Sequence, residues 1–263
     1  MCSRFLSFSS LLLLAALPCL AEGTSIFRVC ADPNNLPFSN EAGQGFENKL
    51  AELIAAKLNA KLEYTWWSQR KSFVKNSLDE GKCDVLMGVP SALDSVSVTR
   101  PYYRSTYVFV TRHDRNLHIT SLTDERLSQL RIGIHVVGDD YAPPAFALAR
   151  RGITQNIVGF SLFGEYGEAN PARKVIDAVE HGEVDVAIAW GPFAGYFSQT
   201  VKTPLDIQPV SPPTFLGIPF TYDMSVGVHK GNEELKEKLN DALQSESAGV
   251  RQILLQYGIP LVH

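Results

Sequence analysis

The sequence predicts an α/β protein made of two units, each a sheet covered by helices. Three observations carry this. Strand-like and helix-like segments alternate from Ile26 onward, and the alternation restarts near Ser121 after a polar interruption. The chain has 263 residues, 45% hydrophobic and 20% charged, enough for one large domain or two of about 100–150 residues.

Residues 26–31 read as a first strand, followed by the loop Asp32-Pro33-Asn34-Asn35-Leu36-Pro37-Phe38. Gly45 precedes segment 46–58, where Phe46, Leu50, Leu53, Ile54 and Leu58 recur at spacings of three and four, the period of an amphipathic helix. Residues 61–67 read as a second strand, 71–79 as a second helix stopped by Gly81, and 84–89 as a third strand. That completes a βαβαβ unit. Residues 107–111 form another apolar strand, and 112–116 are polar. Ser121 and Asp124 have the spacing of a capping box. Residues 131–137 read as a strand, 144–151 as a helix and 157–162 as a strand. Asn170-Pro171 looks like the cap and first turn of a helix over 172–181, which Gly182 ends before a strand at 184–189. Segment 203–222 holds Pro204, Pro209, Pro212, Pro213 and Pro219 and reads as an irregular connection. A strand at 224–229 and helices at 232–243 and 250–257 close the chain.

The formal charge of −4, with no stripe of Lys and Arg, argues against a nucleic-acid binder. The first 21 residues carry Arg4, an uncharged run through Leu17 and a small-residue exit at Ala21, the pattern of a cleavable export signal too short to span a bilayer. Cys19 also admits an acylated lipoprotein, although Pro18 fits that signal poorly. Removing those residues, one Arg and no acid, leaves 242 residues and moves the formal charge to −5. The expected location is the periplasm, with no stable membrane insertion. Two cysteines remain there, Cys30 and Cys83, each in a strand-like run. If those strands are neighbours the sulfurs can meet in a disulfide; otherwise both are buried thiols.

Six stretches fall in order along the chain: Gly45-Phe46-Glu47, Gly81-Lys82-Cys83-Asp84-Val85, Pro101-Tyr102-Tyr103, Ser121-Leu122-Thr123-Asp124, Gly182-Glu183-Val184-Asp185-Val186-Ala187 and His229-Lys230-Gly231-Asn232-Glu233-Glu234-Leu235. Together they resemble the periplasmic solute-binding proteins of the amino-acid-receptor superfamily. The resemblance implies a two-lobed type II periplasmic binding protein, with two mixed sheets flanked by helices and a two-strand hinge near 107–112 and 224–229. Lobe 1 would comprise 22–110 and 224–263, lobe 2 would comprise 111–223, and 1–21 would be the signal. The groove between the lobes is the implied ligand site. Amino-acid receptors of this kind place an Arg soon after the third strand for the ligand carboxylate and an Asp past the Gly-x-Val-Asp-Ala strand for its ammonium. Here Gly88-Val89-Pro90-Ser91-Ala92-Leu93-Asp94-Ser95-Val96 contains no Arg, and Trp190-Gly191-Pro192 stands where the Asp would be. A free amino acid is therefore not the expected ligand.

The stretch from Arg28 to Asn40, with Tyr64-Thr65-Trp66-Trp67 and Cys83-Asp84-Val85-Leu86-Met87-Gly88-Val89-Pro90, more closely resembles the binding-protein-like accessory proteins of quinoprotein alcohol dehydrogenases, the MoxJ/XoxJ type associated with methanol dehydrogenase. This resemblance implies a non-enzymatic partner of a quinoprotein alcohol dehydrogenase that aids its maturation or activation. Pyrroloquinoline quinone (PQQ) and metal would belong to that partner, and no cofactor would be bound by this chain. A transport receptor for a small solute is the alternative, and a lyase on the same fold is a third class without a matched pair of acids.

Candidate ligand or partner residues follow from the ends of strands. Asp32, Asn34, Asn35 and Phe38 lie in the loop after the first strand, where Asp and Asn also stabilise turns. Trp67 ends the second strand and Arg70 follows it, Val89 ends the third, and Asp139 and Tyr141 follow a second-lobe strand. Trp190 puts an aromatic ring where receptors carry a charge. The histidines show no metal spacing, and no metal site is read.

Overall fold

A computed structural model describes residues 25–70, 72–137, 140–163 and 168–262, with backbone alone at Asp140 and Tyr141. The expected export signal and Asp139 lie outside the described residues.

The first lobe opens with β1 (Ser25–Ala31), a miniature hairpin of β2 (Asn34–Asn35) and β3 (Ser39–Asn40), α1 (Phe46–Lys57) and β4 (Ala60–Trp66). It continues through α2 (Phe73–Asn76), β5 (Val85–Pro90), β6 (Ser97–Val98) and the long β7 (Tyr103–Arg112). The second lobe holds β8 (Ile132–Val137), β9 (Asp140–Tyr141), α3 (Pro143–Arg150), β10 (Ile157–Ser161), α4 (Lys174–Glu180) and β11 (Val186–Trp190). After it come α5 (Gly191–Ser198), β12 (Leu205–Pro209) and the hairpin β13 (Thr214–Phe215) and β14 (Ile218–Pro219). The strand β15 (Thr221–Val228) returns to the first lobe, which α6 (Glu233–Ser245) and α7 (Ser247–Gln256) complete.

The α/β fold with helix-flanked mixed sheets agrees with the sequence, with one refinement. The two expected sheets run into one another as strand order β10-β8-β11-β7-β15-β5-β1-β4. They join because β7 and β15 pair antiparallel from Tyr103↔Met224 to Thr106↔Thr221. The far half of β7 then pairs with β11 and β12, while the far half of β15 pairs with β5. The crossing therefore falls at 103–106 and 221–224, slightly earlier on each strand than the sequence suggested.

Local chemistry sets the elements. Asn48 Oδ1 accepts from the Gly45 N–H at 3.0 Å and closes the start of α1. Gly45 is needed there, since a Cβ would stand 2.0 Å from the Phe38 carbonyl oxygen. Phe46, Leu50, Ala51 and Ile54 bury the inner face of α1. The expected helix over 71–79 shrinks to the single turn α2. Ser77 Oγ donates to the Phe73 carbonyl at 2.6 Å, a local bond that competes with helix continuation. Ser121 forms no capping box; Asp124 caps a short 3₁₀ turn instead, accepting from the Arg126 N–H at 3.0 Å. The helix expected over 172–181 divides into a 3₁₀ turn (Pro171–Arg173) and α4. Segment 203–222 is more ordered than its prolines suggested: β12 pairs with β7 and stops at Pro209, which has no N–H for a ladder.

Cys30 and Cys83 are bridged, with Cα atoms 5.5 Å apart, because β1 and β5 are parallel neighbours. The bridge lies in a small core with Leu78, Leu86, Val89 and Val96. Behind the crossing strands, the C-terminal segment is held by Ser105 Oγ donating to the Pro260 carbonyl at 2.6 Å and the Val262 N–H donating to that of Arg104 at 3.1 Å. The same segment meets α5 of the second lobe, where Tyr196 stacks on Tyr257 at 5.8 Å. At Gly195 a Cβ would stand 1.9 Å from the Gly258 carbonyl oxygen.

Candidate functional site

A cavity of about 350 Å³ lies between the lobes. Its walls come from both lobes and from the crossing strands. The antiparallel register sets Trp190 of β11 opposite Tyr107 of β7, so their rings meet at 5.4 Å. Tyr222 of β15 packs against both, at 5.7 Å from Trp190 and 6.4 Å from Tyr107. Phe38 of the first lobe meets Phe193 of α5 edge-on at 5.0 Å, which joins the two lobes.

Two ionisable groups face this aromatic interior. Glu47, in the first turn of α1, lines the cavity beside Gly88 of β5. Gly88 has a φ of +61°, and a Cβ there would stand 1.8 Å from Glu47 Oε1, so the position requires glycine on both counts. No group among the described residues hydrogen-bonds the Glu47 carboxyl, and burial pushes its pKa up to about 8. His135 of β8 is buried; its Nε2 donates to the Ala172 carbonyl at 3.0 Å, and burial pushes its pKa down to about 4. The imidazole is therefore neutral, with Nδ1 left as an acceptor. No Lys or Arg occurs among the described residues lining the cavity.

These two groups oppose each other in their effect on stability. The Glu47 pKa is raised in the fold, so its contribution declines as pH rises from about 4.5 through about 8. The His135 pKa is lowered, so its contribution is lost as pH falls from about 6.5 through about 4. Glu47→Gln is expected to remove the alkaline decline and leave the acid limb unchanged, as read from urea midpoints across that range. An unchanged alkaline limb in a folded variant would count against a raised pKa for Glu47.

A second, polar cavity of about 220 Å³ adjoins the first through Asn35, Leu162 and Phe163. Asp32, Asn34 and Arg70 line it, yet Asp32 is occupied by backbone donors of the loops after β1 and β4. It accepts from the Asn34 N–H at 2.8 Å and the Gln69 N–H at 2.5 Å. Asn35 Nδ2 donates to Gln69 Oε1 at 2.8 Å, and Asn34 Nδ2 reaches across the lobes to the Glu168 carbonyl at 2.6 Å.

Among the residues singled out from sequence, Asn35, Phe38 and Trp190 line the main cavity. Val89 does not. Alternation along β5 aims it into the core around the disulfide, and its neighbours Gly88 and Pro90 line the cavity instead. Trp67 also lies elsewhere: it is 39% exposed, with the Lys82 ammonium 4.4 Å above its ring. Of Tyr141 the structure gives only its place in β9, opposite Val136. Sequence reasoning missed Glu47, Tyr107, His135, Phe193 and Tyr222 as cavity residues. For Glu47 a signal existed, since it stands three, four and seven residues before the apolar Leu50, Ala51 and Ile54 and so shares their face of the helix.

The fold and its cleft define a two-lobed solute-binding protein. The chain belongs to the bacterial extracellular solute-binding proteins, family 3, whose model matches residues 27–257. It is 32% identical over 262 residues to Protein MoxJ of Paracoccus denitrificans, covering 94% of this chain and 92% of that one. The crystal structure of the periplasmic binding protein XoxJ from Methylobacterium extorquens AM1 matches with a TM-score of 0.75 at 34% identity, covering 90% of this chain and 100% of that one. That of MxaJ from Methlophaga aminisulfidivorans MPT matches with a TM-score of 0.80 at 26% identity and the same coverage. The resemblance read from the sequence is thereby borne out. Among the described residues, no helix is long and apolar enough to cross a membrane.

Proposed function

We propose that this chain is an exported, non-enzymatic accessory protein of a PQQ-dependent alcohol dehydrogenase, methanol dehydrogenase in the first instance, and that it assists maturation or activation by engaging the enzyme at the interlobe cleft. The observation that carries this reading is a solute-receptor cleft whose main cavity has no guanidinium among its described lining residues and has Trp190, Tyr107 and Tyr222 as its wall. An amino acid bound there would bury a carboxylate without a partner, at a cost of several kcal/mol. The similarity to MoxJ, XoxJ and MxaJ supports the accessory role. The family, together with the basic and apolar opening of the sequence, supports a periplasmic location. The quinone and its metal are assigned to the partner.

The test is binding of the purified chain to an immobilised PQQ-dependent methanol dehydrogenase. Wild type is expected to bind, Trp190→Ala to weaken binding by about 2 kcal/mol or more, roughly thirtyfold, and Lys238→Ala on the remote α6 to leave it unchanged. Failure of wild type to bind, or wild-type affinity in a folded Trp190→Ala, would sink the proposal.

A further inference from the structure

The main cavity has no Lys or Arg among its described lining residues, yet it holds a carboxyl that the fold does not explain. Glu47 makes no ion pair and no hydrogen bond from its side chain to a described residue, and it borders the cavity rather than the sheet core. Gly88 beside it leaves room for that carboxyl, since a Cβ there would stand 1.8 Å from Glu47 Oε1. The same cavity is lined by three mutually packed aromatic rings, those of Tyr107, Trp190 and Tyr222. A carboxylate buried without a partner is costly, and a cation within reach removes most of that cost. Aromatic faces attract cations through their quadrupole and offer no comparable attraction to an anion.

We propose that the cleft is a binding site for an organic monocation, an amino or quaternary ammonium group, with Glu47 as its counter-ion and Tyr107, Trp190 and Tyr222 as its aromatic wall. The site is complementary to an amino acid stripped of its carboxylate. It stands on the cleft alone and does not depend on the dehydrogenase partner. Among the described residues, the other ionisable groups packed around Glu47 or lining the cavity stay neutral near pH 7. Burial raises the pKa of Tyr64 on β4, of Tyr102 and Tyr103 at the start of β7, and of Tyr107 and Tyr222 on the crossing strands. His135 across the cavity is neutral because burial lowers its pKa. Glu47 is therefore the group that must change charge when a cation enters. Binding should expel a proton from it at neutral pH and none at a pH well above 8.

The probes are n-butylammonium and tetramethylammonium, with 1-butanol and butyrate as neutral and anionic counterparts of similar size, titrated calorimetrically into the mature wild-type protein. An ammonium group can arrive free or on a polypeptide, so Nα-acetyl-lysine amide is compared with its Nε-acetylated form. The expected result is binding of at least one cationic probe with no binding of 1-butanol or butyrate. Binding of the lysine amide alone would identify an amino group carried by a protein, and binding of the alkylammonium probes alone would identify a free ligand; either supports the site. Glu47→Gln, with folding checked by circular dichroism, is expected to weaken the cation at least tenfold. Should that variant not fold, proton release by wild type decides: about one proton per cation near pH 6.5, falling towards zero near pH 9, from heats in buffers of different ionisation enthalpy. The proposal is overturned if no cationic probe binds, if 1-butanol binds as well as butylammonium, if folded Glu47→Gln binds the cation as tightly as wild type, or if no proton is released near pH 6.5.

Discussion

Replacing Cys30 and Cys83 together by alanine is expected to lower the unfolding free energy by about 3–5 kcal/mol. The bridge closes a loop between residues 53 apart in sequence, and the chain-entropy argument assigns most of its value to restricting the unfolded chain. Its surroundings add to this, since both cysteines are buried among Leu78, Leu86, Val89 and Val96. Equilibrium denaturation in urea of the oxidised protein against the double variant measures the difference. A loss below about 1 kcal/mol would show that the strands hold each other without the cross-link. Mass spectrometry of alkylated, unreduced protein from periplasm should find neither thiol labelled.

A loss of similar size is expected from Phe46→Ala, about 3–5 kcal/mol. Phe46 is fully buried, and its ring meets Phe38 at 5.2 Å and both Tyr103 and Tyr257 at 6.1 Å. It thus ties α1 to the loop after β1, to a crossing strand and to the C-terminal segment in one contact group. Urea denaturation should show a lower midpoint with an unchanged slope, the mark of lost native stability rather than an altered unfolded state. Because Glu47 follows Phe46 directly, the same variant should also disturb the carboxyl in the cleft. A variant within about 1 kcal/mol of wild type would mean that the neighbouring rings close over the gap.

The fold was legible where one period dominates a segment. The three-and-four spacing from Phe46 to Leu58 gave α1, and the run after Asp84 gave β5. It was illegible where local chemistry was overruled from a distance. The prolines around residues 203–222 spoke against strands, yet β7 recruited 205–209 into its ladder. Gly191 and Pro192, noted only as a missing charge, turned out to open α5. The site was partly legible for the same reason. Trp190, Phe38 and Asn35 sit at strand ends and could be placed by topology. Val89 needed the phase of β5, where a one-residue choice decides between cavity and core. Tyr222 needed the pairing of β15 with β7, which no single stretch of sequence contains, whereas Glu47 could have been placed from the phase of α1 alone.

The back of the second lobe gives the cleft a mechanical outlet. The helix α5 is eight residues long; near its start Phe193 faces the cavity, and about one turn further on Gly195 and Tyr196 press on Gly258 and Tyr257. A short, well-packed helix moves as a lever, and the carbonyl of Gly258 leaves it no slack at that end. Displacement of Phe193 is therefore resisted by the C-terminal segment packed against the other face of α5.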